Sequence, residues 1–221
     1  TYRPENVDGN WQTYFFNFFN MPLDKPRRLM MNIYTHGDYT RNVDINNGLS
    51  HVNNYFIENR LTLSYTIGNL TLGLPTNVEF RHTDNKEGTI DPINVTNFQY
   101  GITANYNFKR EDESKLPRWL QGFGLATDLK MFSRRGYDDE SMNRDDLVWN
   151  ISVSRSFVNP FGSRAGGSLV ARLEGFDILG QLSSTDVVIN GQGRTETVRR
   201  TLPRYLMLHL TYNFNLIPKK K

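Results

Sequence analysis

The stretch Arg204-Tyr205-Leu206-Met207-Leu208-His209-Leu210-Thr211-Tyr212-Asn213-Phe214 decides how this chain is read. Leu206, Leu208, Leu210, Tyr212 and Phe214 fall on one face of an extended backbone, and Met207, His209, Thr211 and Asn213 fall on the other. That is the period-two alternation of a half-buried strand. One such strand occurs in many soluble proteins, so its meaning depends on repetition.

The rhythm recurs upstream. Leu147, Trp149, Ile151, Val153 and Phe157 oppose Asn150, Ser152, Ser154 and Ser156, and Leu169, Ala171 and Leu173 oppose Arg172 and Glu174. Phe123, Leu125, Leu129 and Met131 oppose Gly122, Gly124, Ala126, Asp128 and Lys130. The cleanest case sets Phe98, Tyr100, Ile102, Ala104, Tyr106 and Phe108 against Gln99, Gly101, Thr103, Asn105 and Asn107. Further back, Leu70, Leu72, Leu74, Val78 and Phe80 form a row, as do Tyr55, Ile57, Leu61, Leu63, Tyr65 and Ile67. Arg28 to Tyr39 alternates too, while Trp11 to Met21 is so aromatic that its inner face is ambiguous. Gly68-Asn69 predicts a two-residue type II′ hairpin. Pro75 predicts a bulge, since a central strand cannot spare a ladder N–H. Long polar loops are expected at Thr40 to Asn53, His82 to Asn94, Ser133 to Asp145 and Phe176 to Leu202, with shorter connections such as Lys109 to Arg118 and Asn159 to Gly162 between them. The reading is about nine strands and no helix beyond a single turn at Phe176 to Leu182.

Composition narrows the class. The net charge is only +3 over 221 residues, with the cations scattered and at the Lys219 to Lys221 tail, so no nucleic-acid face is evident. Cysteine is absent, which removes disulfides, thiolate metal sites and a Cys nucleophile. No run of about 18 apolar residues occurs, which removes a membrane-spanning helix but not a barrel, whose strands need only about ten residues, half of them apolar. A mean hydropathy of −0.57 is compatible with that.

Alternation does not say which face is inside. A lipocalin-like barrel would turn the apolar rows inward as a dry core. Here the apolar rows end in Tyr, Trp or Phe, the polar rows are rich in Ser, Thr, Asn, Gln and Gly, and the strands are long. Aromatic margins on an apolar band suit lipid interfaces. The expectation is therefore all-β: an antiparallel transmembrane β-barrel with its apolar face in outer-membrane lipid of a Gram-negative bacterium. The odd strand count predicts that residues 1–221 are the C-terminal part of a larger barrel.

At the C-terminus, Leu173-Glu174-Gly175-Phe176-Asp177-Ile178-Leu179-Gly180-Gln181, then Gln192-Gly193-Arg194-Thr195-Glu196-Thr197, then Thr201-Leu202-Pro203-Arg204-Tyr205 leading to Leu210-Thr211-Tyr212-Asn213-Phe214, resemble the end of outer-membrane barrels related to TonB-dependent receptors. The match covers about the last fifty residues. Leu210, Tyr212 and Phe214 resemble the terminal signal read by the barrel-assembly machinery, although His209 stands where Gly is common and the chain continues past Phe214. The resemblance implies about twenty-two strands, an upstream plug, energy from TonB and solute uptake. The alternative is a barrel subunit that moves no solute and scaffolds an outer-membrane secretion, assembly or lipoprotein-bound complex.

The candidate functional residues are the charges on the polar rows: Glu58, Arg60, Glu79, Arg81, Asp128, Lys130, Arg172 and Glu174, with His209 beside them. Mixed signs on adjacent strands predict cross-strand pairs that brace the wall, ahead of a role in steering a polar solute. Asp138 to Asp146 has carboxylates enough for a hard cation but no EF-hand spacing, so it reads as a solvated acidic loop. His36, His51, His82 and His209 are dispersed, no motif joins Ser152 or Ser154 to a catalytic triad, and the Asn69, Asn94 and Asn150 glycosylation tripeptides are chance matches. No cofactor, metal or enzyme activity is expected.

Overall fold

The computed structural model describes residues 6–45, 48–88, 91–108, 117, 119–160, 167–182, 184–190, 193–199, 202 and 204–214, without the side chains of 184–190 and 193–199. Eleven strands are assigned: β1 (Trp11–Pro22), β2 (Leu29–Ile45), β3 (Leu49–Ile67), β4 (Leu70–Asn85), β5 (Ile93–Asn107), β6 (Phe123–Arg135), β7 (Asp145–Val158), β8 (Ser168–Phe176), β9 (Ser184–Asn190), β10 (Gly193–Arg199) and β11 (Tyr205–Asn213). Nine form one antiparallel sheet in the order β1-β2-β3-β4-β5-β6-β7-β8-β11, while β9 and β10 pair as a separate hairpin. The sheet is open, with β1 and β11 at its edges. Among the described residues the only helical element is a 3₁₀ turn, Glu140–Met142.

Register keeps the apolar rows together. Ile33 faces Leu61, Leu63 faces Leu74, Leu72 faces Ala104, Ile102 faces Leu129, Leu129 faces Trp149, Val153 faces Leu173, and Leu173 faces Leu208. Slipping any pair by one residue would put polar groups into this face, so the alternation itself fixes the register. The face is not a core. Ile102 is 58% exposed, and Leu74, Leu129, Ile151, Leu173, Leu208 and Leu210 are likewise exposed. Along β4, Leu72, Leu74, Val78 and Phe80 are exposed, whereas Gly73, Asn77, Glu79 and Arg81 are buried or half-buried. Large sheets coil, and a sheet coiled with its polar side innermost gives this pattern.

Two rims follow. At the turn rim, Gly68 has φ +56° and Asn69 is not in the positive-φ region, as a type II′ turn requires. At the opposite loop rim lies the small buried core: Val52, Ile93, Val95 and Val148 on the polar face, with Val43, Tyr137 and Met142. These seven are the buried apolar side chains among the described residues.

Several expectations need correction. Residues read as polar loops are largely strand: only 46–48 separate β2 from β3, and β4 continues to Asn85. Backbone ladders are indifferent to side-chain polarity, so the strands run on beyond the apolar band. The connections therefore do not alternate strictly between short and long. Phe176 to Leu202 contains the β9–β10 hairpin, which Thr185 to Ile189 followed by Asn190-Gly191 signals. No bulge forms at Pro75, because β4 keeps one offset with β5 on both sides of it, Gly73 facing Thr103 and Thr76 facing Tyr100. The pairing merely lapses at 74 and 75, where the imino nitrogen cannot donate. The single turn expected at Phe176 to Leu182 is a tight turn at Ile178 and Leu179. Lys219 to Lys221, most of Lys109 to Arg118, and 161–162 lie outside the described residues.

Candidate functional site on the polar face

The register gathers the candidate charges into two groups. In the first, a single row crosses five strands: His36 faces Glu58, Glu58 faces Glu79, Glu79 faces Asn97, and Asn97 faces Arg134. Glu58 is only 5% exposed and accepts from Arg60 Nε at 2.6 Å. Glu79 accepts from Asn77 Nδ2 at 2.9 Å and from Asn97 Nδ2 at 3.4 Å. Arg60 lies over the Tyr34 ring and Arg81 over Phe56, 5.4 and 5.5 Å from the centroids. His36 and Phe56 meet edge to face at 5.7 Å. The buried Oδ1 of Asn77 has no hydrogen-bond partner.

The second group gathers at a polar hollow of about 170 Å³ whose lining includes Ala126, Asp128, Lys130, Ser152 and Glu174. On one side Asp128 meets Lys130 at 3.5 Å and accepts from Asn150 at 3.0 Å. On the other, Glu174 takes the guanidinium of Arg172 and lies 3.4 Å from His209 Nε2. His209 faces Arg172 across the β8–β11 ladder, so the two share a face.

The bracing geometry differs from expectation. Glu58–Arg60, Asp128–Lys130 and Arg172–Glu174 pair along one strand, two residues apart, while His209–Glu174 crosses strands. Like charges sit opposite each other at Glu58 and Glu79, so each side chain turns toward the nearest opposite charge or amide on its own strand.

The loop rim is closed over by two segments. Residues 136–144 fold onto β5: Tyr137 and Met142 pack with Ile93 and Val95, and Tyr137 Oη donates to Asn97 Oδ1 at 3.2 Å. Asp146, fully buried, accepts from Arg134 at 2.7 Å and Arg144 at 2.6 Å. Residues 177–182 fold over β7, where Asp177, also fully buried and at φ +45°, accepts from the N–H groups of Gln181 and Leu182. Gln181 Oε1 accepts from Leu147 N at 3.1 Å and so ties this turn to β7. Read as sequence, Asp138 to Asp146 is a solvated run. The structure instead uses Asp146 as a buried ion-pair centre and Asp139 to cap the 3₁₀ turn, its carboxyl held below the usual range by the Ser141 hydroxyl and N–H. The signal was Arg134, placed on the polar row and twelve residues before a carboxylate that needs it. Among the described residues no group of three or more His, Asp or Glu could hold a metal ion.

Aromatic rows border the exposed apolar face. At the loop rim Trp11, Tyr39, Tyr55 and His82 make a row of tilted ring contacts across four strands, with centroids 4.7, 4.8 and 5.7 Å apart. At the turn rim Tyr106 meets Phe108 at 4.7 Å, Arg155 lies over Phe123 and Phe157, and Tyr212 stacks on Phe214. The assembly-signal candidates Leu210 and Phe214 are exposed on this face, and Tyr212 is half-buried.

No family model, curated protein or solved structure matches this chain.

Proposed function

We propose that this chain is wall of a Gram-negative outer-membrane β-barrel, its apolar face in lipid and its polar face lining the interior. In this reading it takes up a solute too large or too scarce for open diffusion, in the manner of the TonB-dependent receptors that its C-terminal residues resemble. The observation that carries the reading is the exposed apolar face, continuous over nine strands and bordered by aromatics on both rims. From Tyr55 to Tyr65 the strand rises about 33 Å at about 3.3 Å per residue, or about 23–25 Å along the normal at a tilt of 40–45°, matching the apolar band of outer-membrane barrels. An edge in lipid leaves N–H and C=O groups unsatisfied, so β1 and β11 pair with further strands. In this reading the segments packed at the loop rim would narrow one mouth of the interior, which favours uptake over free diffusion. The polar rows beneath it offer a solute both charge signs and planar amides.

The test is genetic. Deleting the gene and deleting the TonB gene are expected to produce the same nutrient limitation. The uptake reading is contradicted, and a scaffolding barrel favoured, when deletion leaves nutrient uptake intact but disperses a complex of outer-membrane proteins or surface lipoproteins.

A further inference from the structure

Most of the apolar face satisfies its own polar groups. Thr76 donates to the Leu61 carbonyl at 3.2 Å, Thr127 donates to the Asn150 carbonyl at 2.9 Å, and Trp149 Nε1 donates to Thr127. One row departs from this. Asn17 on β1 faces Thr35 on β2, which faces Asn59 on β3, so two amides stand in the middle of the band, Asn59 lying between Tyr55 and Tyr65. Asn59 Nδ2 donates to Thr35 at 2.8 Å, but its carbonyl oxygen and the whole Asn17 amide have no partner among the described residues, and both residues are exposed. An amide left unpaired in hydrocarbon costs several kcal/mol.

One row nearer the loop rim these three strands and β4 beside them are notched. A hollow of about 320 Å³ is lined by Phe15, Gly37, Tyr39, Tyr55, Ile57 and Phe80. The Phe15 ring lies so close over Gly37 that any Cβ there would overlap it. Small residues, polar side chains and surface relief mark protein contacts within membranes.

We infer that the β1–β3 part of the apolar face is a membrane-embedded interface with a second copy of this chain. This rests on the lipid-facing reading above. Two copies inserted in the same direction are related by a two-fold axis along the membrane normal, which brings each level of the patch against the same level of its mate. The asparagine row thus meets itself, and an amide, carrying both donor and acceptor, satisfies its own copy. An acyl chain offers neither group. At the next level Phe15 of each copy, itself exposed, enters the hollow of the other.

The chain has no cysteine, so single cysteines report directly. Asn59→Cys, with Asn17→Cys as the second probe, and Ile102→Cys on β5 as control would be oxidised in membranes of cells expressing the protein. The expected result is a disulfide-linked product of twice the mass for Asn59→Cys or Asn17→Cys and none for Ile102→Cys, with the Asn59→Cys product lost at least tenfold when Asn17→Leu is added. If neither crosslinks and all three react alike with a lipid-soluble maleimide, the dimer is overturned while the lipid-facing reading stands. Capture of a different protein by Asn59→Cys also overturns it. Should Ile102→Cys react only with a water-soluble reagent, the underlying reading fails instead.

Discussion

Glu58 and Glu79 face each other on neighbouring strands, and the buried one, Glu58, is held by Arg60 from its own strand. Two carboxylates side by side repel, so the arrangement depends on that guanidinium and on the amides of Asn77 and Asn97 around Glu79. Arg60→Met is expected to destabilise the sheet by about 1–3 kcal/mol, because it leaves a buried carboxylate without its charged partner. Adding Glu58→Gln should recover most of that loss. Urea unfolding from lipid of the two single variants and the double variant measures the coupling, and independent, additive effects would contradict it.

The roof over the loop rim depends on two apolar anchors. Met142→Ala should cost the 136–144 segment about 2–3 kcal/mol of local stability. Tyr137→Phe, losing only the bond to Asn97, should cost about 1 kcal/mol. Trypsin cleavage after the exposed Arg144 reports this opening: faster cutting is expected in both variants, and most in Met142→Ala.

Asp177 is a sharper test of the second roof segment. Asp177→Ala removes two acceptors from backbone N–H groups and puts alanine at a positive φ, so a loss of about 2–4 kcal/mol is expected. Asp177→Asn keeps one acceptor and tolerates that backbone, and should cost less than half as much. Amide exchange at Gln181 and Leu182 distinguishes the two.

Acid should loosen the loop rim at one definable place. Glu87, beyond the end of β4, accepts from the His51 N–H at 2.7 Å and from its ring, and these bonds hold its carboxyl below the ordinary glutamate value. A carboxyl with a depressed folded pKa contributes fully above its unfolded value of 4.5 and loses that contribution as pH falls through the folded one. The His51 amide is therefore expected to exchange faster below about pH 4.5 than the trend of its neighbours. Glu87→Gln should abolish that acid dependence.

Most strand positions and the division into an apolar and a polar row were legible because side-chain period two is unambiguous when repeated from Tyr55 to Phe214. Where the band ends, sequence failed: Thr40 to Ile45 and Thr83 to Asn85 are mostly polar, and ladder pairing makes them strand. The charged candidates share the polar rows, but their partners were not foreseen, since an i,i+2 pair and a cross-strand pair are indistinguishable without side-chain directions. Asp146 was missed as a buried acceptor because a run of carboxylates looks solvated until a guanidinium closes on one of them, and Asp177 because a lone loop carboxylate looks exposed until the N–H groups of its own turn close on it.

The orientation of the apolar face decides the rest. Spin labels placed singly from Asn97 to Tyr106 of β5, with the protein in lipid bilayers, can be compared for collision with oxygen, which partitions into hydrocarbon, and with a water-soluble nickel chelate. At 98, 100, 102 and 104 high oxygen and low nickel collision are expected, and at 97, 99, 101, 103 and 105 the reverse or shielding from both. A sequence profile in which the even positions are shielded from both reagents, or collide chiefly with nickel, would contradict the account.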